Sequence, residues 1–189
     1  MSRWNVADVM TFGAVSVTED TPFKAIVDLL EAHGVNAAPV VDAADRVVGV
    51  VSSADLLPKI ELAGTAKAHA TAAGELMSAP AITVAGTAAL PTAARIMEAA
   101  GLKRLPVVDA GGRLIGMVTR RDLLKVFLRS DEEIRREIAG LCERAGVRVE
   151  VADGVVTLLG EVRRGAAIPQ FVRRVERVDG VVDVVSLLN

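Results

Sequence analysis

The sequence predicts an α/β (α+β) architecture: two copies of one small unit related by pseudo-twofold symmetry, followed by a separate αββαβ module. The first observation is a repeat. Gly101–Leu124, GLKRLPVVDAGGRLIGMVTRRDLL, matches Gly34–Leu57, GVNAAPVVDAADRVVGVVSSADLL, without a gap, and the same offset aligns Ala73–Met77 with Val6–Met10. Such duplication sets the architecture before any single element does. The second is that each copy switches between a helical period and short β-branched runs. The third is a change of pattern after Ser130, where no third copy follows and an alternating valine strand appears.

Residues 1–5 read as a short arm, its Trp4 packing on the body or contributing to a dimer contact. A strand is expected at Ala14–Val17, and at Ala81–Val84 in the second copy. Phe23, Ile26, Val27 and Leu30 then follow i, i+3, i+4, i+7, with Thr21 as N-cap, Pro22 at the first helical position and Gly34 just past the end. Leu90, Ala94 and Met97 repeat that stripe and stop at Gly101. Ala38–Val41 and Leu105–Val108 read as buried strands, Asp42–Asp45 and Asp109–Gly112 as turns, and Val47–Val51 and Leu114–Val118 as return strands. Each copy closes on a hydroxyl residue three positions ahead of an aspartate, Ser52 with Asp55 and Thr119 with Asp122. Pro58 ends the first closing helix near Leu57. The second is longer, with Leu123, Leu124, Phe127 and Leu128 as its apolar stripe. Lys59–Gly74 reads as an alanine-rich connector with some helical turns. The resulting division is 1–62, a linker at 63–72, 73–129 and 130–189.

In the last part, Ser130 or Asp131 caps a helix that puts Ile134, Ile138, Leu141 and Ala145 on one side and Glu132, Glu133, Arg135, Arg136 and Glu137 in water. Val147, Val149 and Val151 alternate with Arg148 and Glu150 as a half-exposed strand. Asp153-Gly154 makes the hairpin turn to a return strand at Val155–Val162. A second helix has Ile168, Val172 and Val175 on one face and Arg173, Arg174 and Arg177 on the other. Gly180 breaks it before a last strand, Val181–Leu188. Two helices over one face of a three-stranded sheet is the expected packing.

Two resemblances follow from these residues. The D-V-M start, the G-x-x-x-x-P-V-V-D loop and strand, the V-x-G-V-V run and the [ST]-x-x-D close, each present twice over residues 6–128, resemble a tandem pair of cystathionine-beta-synthase (CBS) domains. Asp131-Glu132-Glu133-Ile134, Val149-x-x-x-x-Gly154-Val155-Val156-Thr157-Leu158-x-Gly160 and Val178-x-Gly180-Val181-x-x-Val184 resemble a BON domain. The BON resemblance implies phospholipid or protein-partner binding and carries no catalytic signature.

Composition narrows the function classes. Aromatic residues are only 3% of the chain and its net charge is −2, so neither base stacking nor electrostatics predicts nucleic-acid binding. Neither part has a basic excess. The amino terminus lacks the apolar core of a signal peptide and no run approaches a membrane span, so a cytoplasmic setting is the expectation. Cys142 is the single cysteine; near Ile138 and Leu141 it reads as a small buried hydrophobe. His33 and His69 have no metal-ligand spacing, and His33 reads as capping carbonyls at a helix end. No Ser, His and Asp set suggests a nucleophile, so no catalytic residue, metal or required cofactor is assigned and no enzyme is expected.

The [ST]-x-x-D closures carry the candidate chemistry. As capping boxes they satisfy helix-end donors. In CBS pairs, the resemblance implies, the same aspartate takes the two ribose hydroxyls of an adenosine ligand while the Ser or Thr lies near its phosphates, and the two roles are compatible. A carboxylate suits adjacent hydroxyls because it accepts two charge-assisted bonds, and a helix end adds donors and a positive dipole end toward phosphate. The copies differ in charge: Lys103, Arg104, Arg120 and Arg121 surround the second closure, where the first has Asn36, Ala37, Ser53 and Ala54. A phosphate-bearing ligand is therefore expected beside Arg104, Thr119 and Asp122, unless the four cations are only a solvated face. Ser52 and Asp55 are expected to hold a less charged adenosine compound or nothing. By resemblance, Val35, Val50, Leu102 and Met117 are the candidate adenine walls. Arg163, Arg164, Arg173 and Arg174, interleaved with Glu161, Glu176 and Asp179, are either solvated surface or a contact for lipid headgroups.

The expected function is a non-catalytic, homodimeric regulator that binds AMP, ADP or ATP and changes how the BON module is presented. The alternative is a ligand-independent dimeric scaffold whose BON domain docks on membrane phospholipid or a protein partner under stress.

Overall fold

The computed structural model describes residues 4–61, 69–142, 146–160 and 168–188. Part of the connector, Ala145 and the Glu161, Arg163 and Arg164 of the basic-patch reading lie outside them. The chain divides into two compact units, Val6–Arg120 and Arg121–Asn189, the latter with the first five residues.

In the first unit the elements are α1 (Val6–Val9), β1 (Thr11–Phe12), β2 (Val17–Thr18), α2 (Phe23–Ala32), β3 (Ala37–Val41), β4 (Val47–Ser52), α3 (Ser53–Leu56) and α4 (Pro58–Glu61). The second copy supplies α5 (Ala73–Leu76), β5 (Val84–Ala85), α6 (Leu90–Ala99), β6 (Arg104–Val108) and β7 (Leu114–Thr119). The helices form where the 3.6-residue stripe predicts: Ile26 and Leu30 are buried on α2, and Leu90 and Met97 on α6, where Ala93 completes the buried stripe and the expected Ala94 is exposed. Gly34 and Gly101 take left-handed φ values of 60° and 65° just beyond them, a conformation glycine adopts without steric cost. The Thr21 cap is corrected. Pro22 occupies the cap position without a side-chain bond, because the Thr21 hydroxyl accepts the Thr18 N–H at 2.9 Å. The leading strands are shorter and later than expected, since only Val17–Thr18 and Val84–Ala85 pair, each parallel to the next strand of its own copy.

The two copies exchange their amino-terminal turns. β1 pairs with β7, Thr11 opposite Met117, and the equivalent segment of the second copy bridges back, Ser78 opposite Val50. Val6 and Ala7 donate to the Ala88 and Gly86 carbonyls, while Ala73 and Gly74 donate to those of Thr21 and Glu19. Each donor and each acceptor has its counterpart at the repeat offset, so the pseudo-twofold is written in backbone hydrogen bonds. The sheets are therefore β2-β3-β4 and β1-β7-β6-β5. The first has a core of Val17, Ile26, Leu30, Ala38, Val40, Val51 and Leu56, completed by Ala73 and Leu76 from the other copy.

The second unit begins within α7 (Arg120–Leu123), which runs into a 3-10 turn, Leu124–Leu128. The long closing helix predicted there is replaced by these two short pieces, and Leu124, Phe127 and Leu128 are exposed. Then come α8 (Asp131–Cys142), β8 (Arg148–Ala152), β9 (Val155–Gly160), α9 (Ile168–Val175) and β10 (Asp183–Leu188). The sheet order is β10-β9-β8, with β10 parallel to β9. Ile134, Ile138, Cys142, Val156, Leu158, Val175 and Val178 form its core. Burial pushes the Cys142 thiol up from its ordinary pKa, as a small core residue requires. Asp153 and Gly154 both have positive φ, 51° and 75°, as a two-residue type I′ hairpin turn requires. The Trp4 N–H donates to Asp179 Oδ2 at 3.0 Å, so the arm's end is held by this unit.

The cap of α8 divides between the two residues proposed for it. The Ser130 N–H and hydroxyl both donate to Glu133 Oε2, at 2.9 and 2.8 Å, and these bonds, the backbone one first, hold the Glu133 carboxyl below its usual range. Asp131 instead reaches the hairpin: its two oxygens accept the Asp153 and Gly154 N–H groups at 2.9 and 2.8 Å. Asp131→Ala is expected to destabilise this unit by about 2 kcal/mol, since two charge-assisted bonds to turn donors are lost. Urea unfolding followed by circular dichroism measures it.

Candidate functional site

The two closures are built alike locally but sit in different surroundings. β4 ends at Ser52 opposite Ala37, and β7 ends at Thr119 opposite Arg104. After Ser52, the Asp55 carboxylate folds back so that Oδ2 accepts the Ser52 N–H at 2.9 Å and its hydroxyl at 2.6 Å. The capping reading therefore holds for the first closure. α3 and α7 are four residues each, so the dipole contribution expected from the closing helices falls away; a single turn sums too few peptide dipoles.

A cavity of about 640 Å³ opens at the first closure, within the size range of small-molecule sites. Its walls come from both copies: Asn36, Ala37, Val50, Ser52, Ser53, Ala54 and Asp55 from one, and Ser78, Pro80, Ala81, Ile82, Gly101, Leu102, Lys103, Arg104 and Pro106 from the other. The exchange described above places Ser78–Ile82 of the second group there. Ser78 and Val50 pair through both backbone bonds, at 2.9 and 3.1 Å, and the Ala81 N–H donates to the Val48 carbonyl. Segment 78–82 is thereby laid along β4. Among the described residues, the charged members of the lining are Asp55, Lys103 and Arg104, a net excess of one positive charge.

Lys103 and Arg104 line the cavity of Ser52 and Asp55, and Arg104 also stands opposite Thr119 across the hairpin. Arg120 is committed to backbone: its Nε donates to the Leu102 carbonyl at 2.9 Å and Nη2 to that of Met97 at 3.4 Å. Arg121 is exposed. Asp122 is 9% exposed and ion-paired with Lys125 at 2.7 Å. At the matching place the first copy has Pro58, which offers no charge. Of the apolar candidates, Val50 and Leu102 line the cavity. Val35 packs against the first copy's core instead, and Met117 lies in β7 outside the lining. Pro80, Ala81, Ile82 and Pro106 were missed by sequence reasoning. Ile82, the one large apolar side chain between Ser78 and Thr83, was the available signal.

Family models match this organisation: a CBS domain at residues 6–61 and again at 73–129, and a BON domain at 130–189. The chain is a tandem CBS-domain protein that ends in a BON domain. Among relatives of this CBS pair, an uncharacterised protein of Methanopyrus kandleri is 31% identical over 119 residues, 63% of this chain and 58% of that protein. A CBS domain-containing protein of Dictyostelium discoideum is 28% identical over 68% of this chain and 94% of its own. The solved structure of CBSX2, an Arabidopsis thaliana protein, in complex with AMP matches with a TM-score of 0.62 and 31% identity, over 66% of this chain and 97% of that one. The CBS pair of MJ0100, in complex with 5′-methylthioadenosine and S-adenosyl-L-methionine, matches with a TM-score of 0.59 over 66% of this chain and 95% of that one. Its 22% identity makes this a likeness of fold. Among the described residues no helix is long and apolar enough to cross a membrane.

Proposed function

We propose that this CBS pair is a non-catalytic sensor that binds one phosphorylated adenosine compound, of the AMP, ADP or ATP type, in the cavity between β4 and the Gly101–Arg104 loop. One observation carries the reading: Asp55 of one copy and Lys103 and Arg104 of the other line the same cavity. The carboxylate suits the paired hydroxyls of a ribose, the two cations suit a phosphate, and Val50, Pro80, Ile82 and Leu102 offer apolar walls for a base. A ligand held from both copies ties them together, which is how binding would bias one conformation over another and reach the BON module. The AMP held by the CBSX2 relative supports the same ligand class.

The net positive lining separates phosphorylated from cationic adenosine compounds. Calorimetric titration is expected to show AMP binding at least about tenfold tighter than adenosine or S-adenosylmethionine, the order of one well-placed charge-assisted contact. Lys103→Ala with Arg104→Ala should erase that margin and its salt dependence. A margin that survives the double substitution refutes the phosphate assignment.

The same proposal includes a homodimer. Leu57 and Ile60 of the first copy and Leu124 and Phe127 of the second stand at equivalent repeat positions, and all four are exposed. Within the first unit alone, the exposed Leu57 and Ile60 make an apolar pair of the kind a self-complementary interface covers.

A further inference from the structure

The BON sheet has two edges of opposite character. Edge strand β8 carries Arg148 and Glu150 on its outward face, both exposed, and such charges discourage strand addition. The other edge, β10, reads Asp183-Val-Val-Ser-Leu-Leu188 and contains neither proline nor lysine. Its outward Val185 and Leu187 are 41% and 55% exposed. Leu187 lies beside Leu159 and Val185 beside the β-branched Thr157 of β9, so the row continues across the sheet. Exposed, six residues long and charged only at its first residue, Asp183, β10 lacks most of the protections that natural edges carry.

From this we propose that β10 is a pairing edge for a second copy of this chain, the two β10 strands running antiparallel about a twofold axis at Ser186 and joining two three-stranded sheets into one. The sequence of the strand selects this occupant. With Ser186 opposite Ser186 of the partner subunit, each outward Val185 faces a Leu187 and each inward Val184 faces a Leu188. Apart from the central Ser186–Ser186 pair, every cross-strand pair is then apolar, the pairing that stabilises adjacent strands. Asp183, the strand's one charge, falls outside the five paired positions. Shifting the axis by one residue to Val185 sets Leu187 against Asp183, so the pattern favours one register. A twofold contact of this type uses one patch twice. It is independent of the nucleotide reading, since no residue of the cavity takes part.

The test uses the full chain carrying Ser186→Cys. Antiparallel pairing brings the two introduced Cβ atoms within disulfide reach, and Cys142 is buried and does not compete. Under mild oxidation S186C is expected to form an interchain disulfide at least about tenfold faster than Val182→Cys, whose side chain is exposed but lies outside the paired segment. Adding Leu187→Lys to S186C should abolish that advantage while leaving the melting temperature of the reduced protein unchanged. An S186C thiol that titrates as free and stays uncrosslinked overturns the proposal, as does crosslinking no faster than for V182C. Equal crosslinking with and without L187K also overturns it, and capture of a foreign strand at an uncrosslinked edge would assign the edge to another partner.

Discussion

Replacing Asp55 with alanine is expected to weaken AMP binding by on the order of 100-fold or more, the largest loss of any single substitution in the cavity. Two hydrogen bonds from ribose hydroxyls to a carboxylate contribute about 1.5–3 kcal/mol each where the acceptor is ionised, and about 1.4 kcal/mol is a factor of ten. The carboxylate is already held: Oδ2 takes the Ser52 N–H and hydroxyl, so the ligand meets a group whose rotamer is fixed, and little ordering is left to oppose binding. The same bonds make Asp55→Ala cost stability, about 1 kcal/mol for a lost cap, and a thermal melt without ligand separates that from lost affinity. Asp55→Asn keeps the shape and one acceptor but not the charge, and should fall between. Asp122→Ala is the contrast. Asp122 is outside the cavity's lining, so its titration curve is expected to stay within a few-fold of the unmodified protein. If Asp122→Ala abolishes the heat and Asp55→Ala does not, the ligand sits at the other closure and the assignment is reversed.

That contrast also shows where sequence reasoning reached its limit. The repeat, the hairpins and the helices of each copy were legible because periodicity and turn residues act over a few positions: Asp42 and Asp109, for example, each accept two backbone N–H groups of their own turn. Which copy's cations face which aspartate was not legible. It depends on the exchange of the Val6–Phe12 and Ala73–Ala81 segments between copies, and those bonds join residues far apart in sequence. Local pattern assigns Lys103 and Arg104 to Thr119, their nearest partner across the hairpin, and that neighbourhood is real, Arg104 lying opposite Thr119. The cavity lining adds a second neighbourhood, Ser52 and Asp55 of the opposite copy. Likewise, nothing in the apolar run Leu123–Leu128 announced that the helix would break into a single α-turn and a 3-10 turn, because the period of three and the period of 3.6 diverge too little over six residues.

The exchange itself predicts the second large effect, and it should be unequal at two positions that the repeat makes equivalent. Gly49 and Gly116 occupy the same place in β4 and β7, and each lies against the arriving segment of the other copy. A Cβ on Gly116 would stand 2.4 Å from the Thr11 carbonyl oxygen and 3.1 Å from Met10 Sδ. Backbone cannot yield there without breaking the β1–β7 pairing, Phe12 opposite Gly116 included. A Cβ on Gly49 would meet Met77 alone, its Sδ and Cγ first, and a flexible thioether can turn away. Gly116→Ala is therefore expected to cost about 3 kcal/mol, at the upper end for overpacking, and Gly49→Ala about 1 kcal/mol. Gly116→Ala should also release the Val6–Phe12 segment, read as faster hydrogen exchange at the Val6 and Ala7 amides, which otherwise donate to the Ala88 and Gly86 carbonyls respectively. Equal destabilisation by the two substitutions, or protection at Val6 unchanged in Gly116→Ala, would mean that the amino-terminal turn is not what Gly116 accommodates.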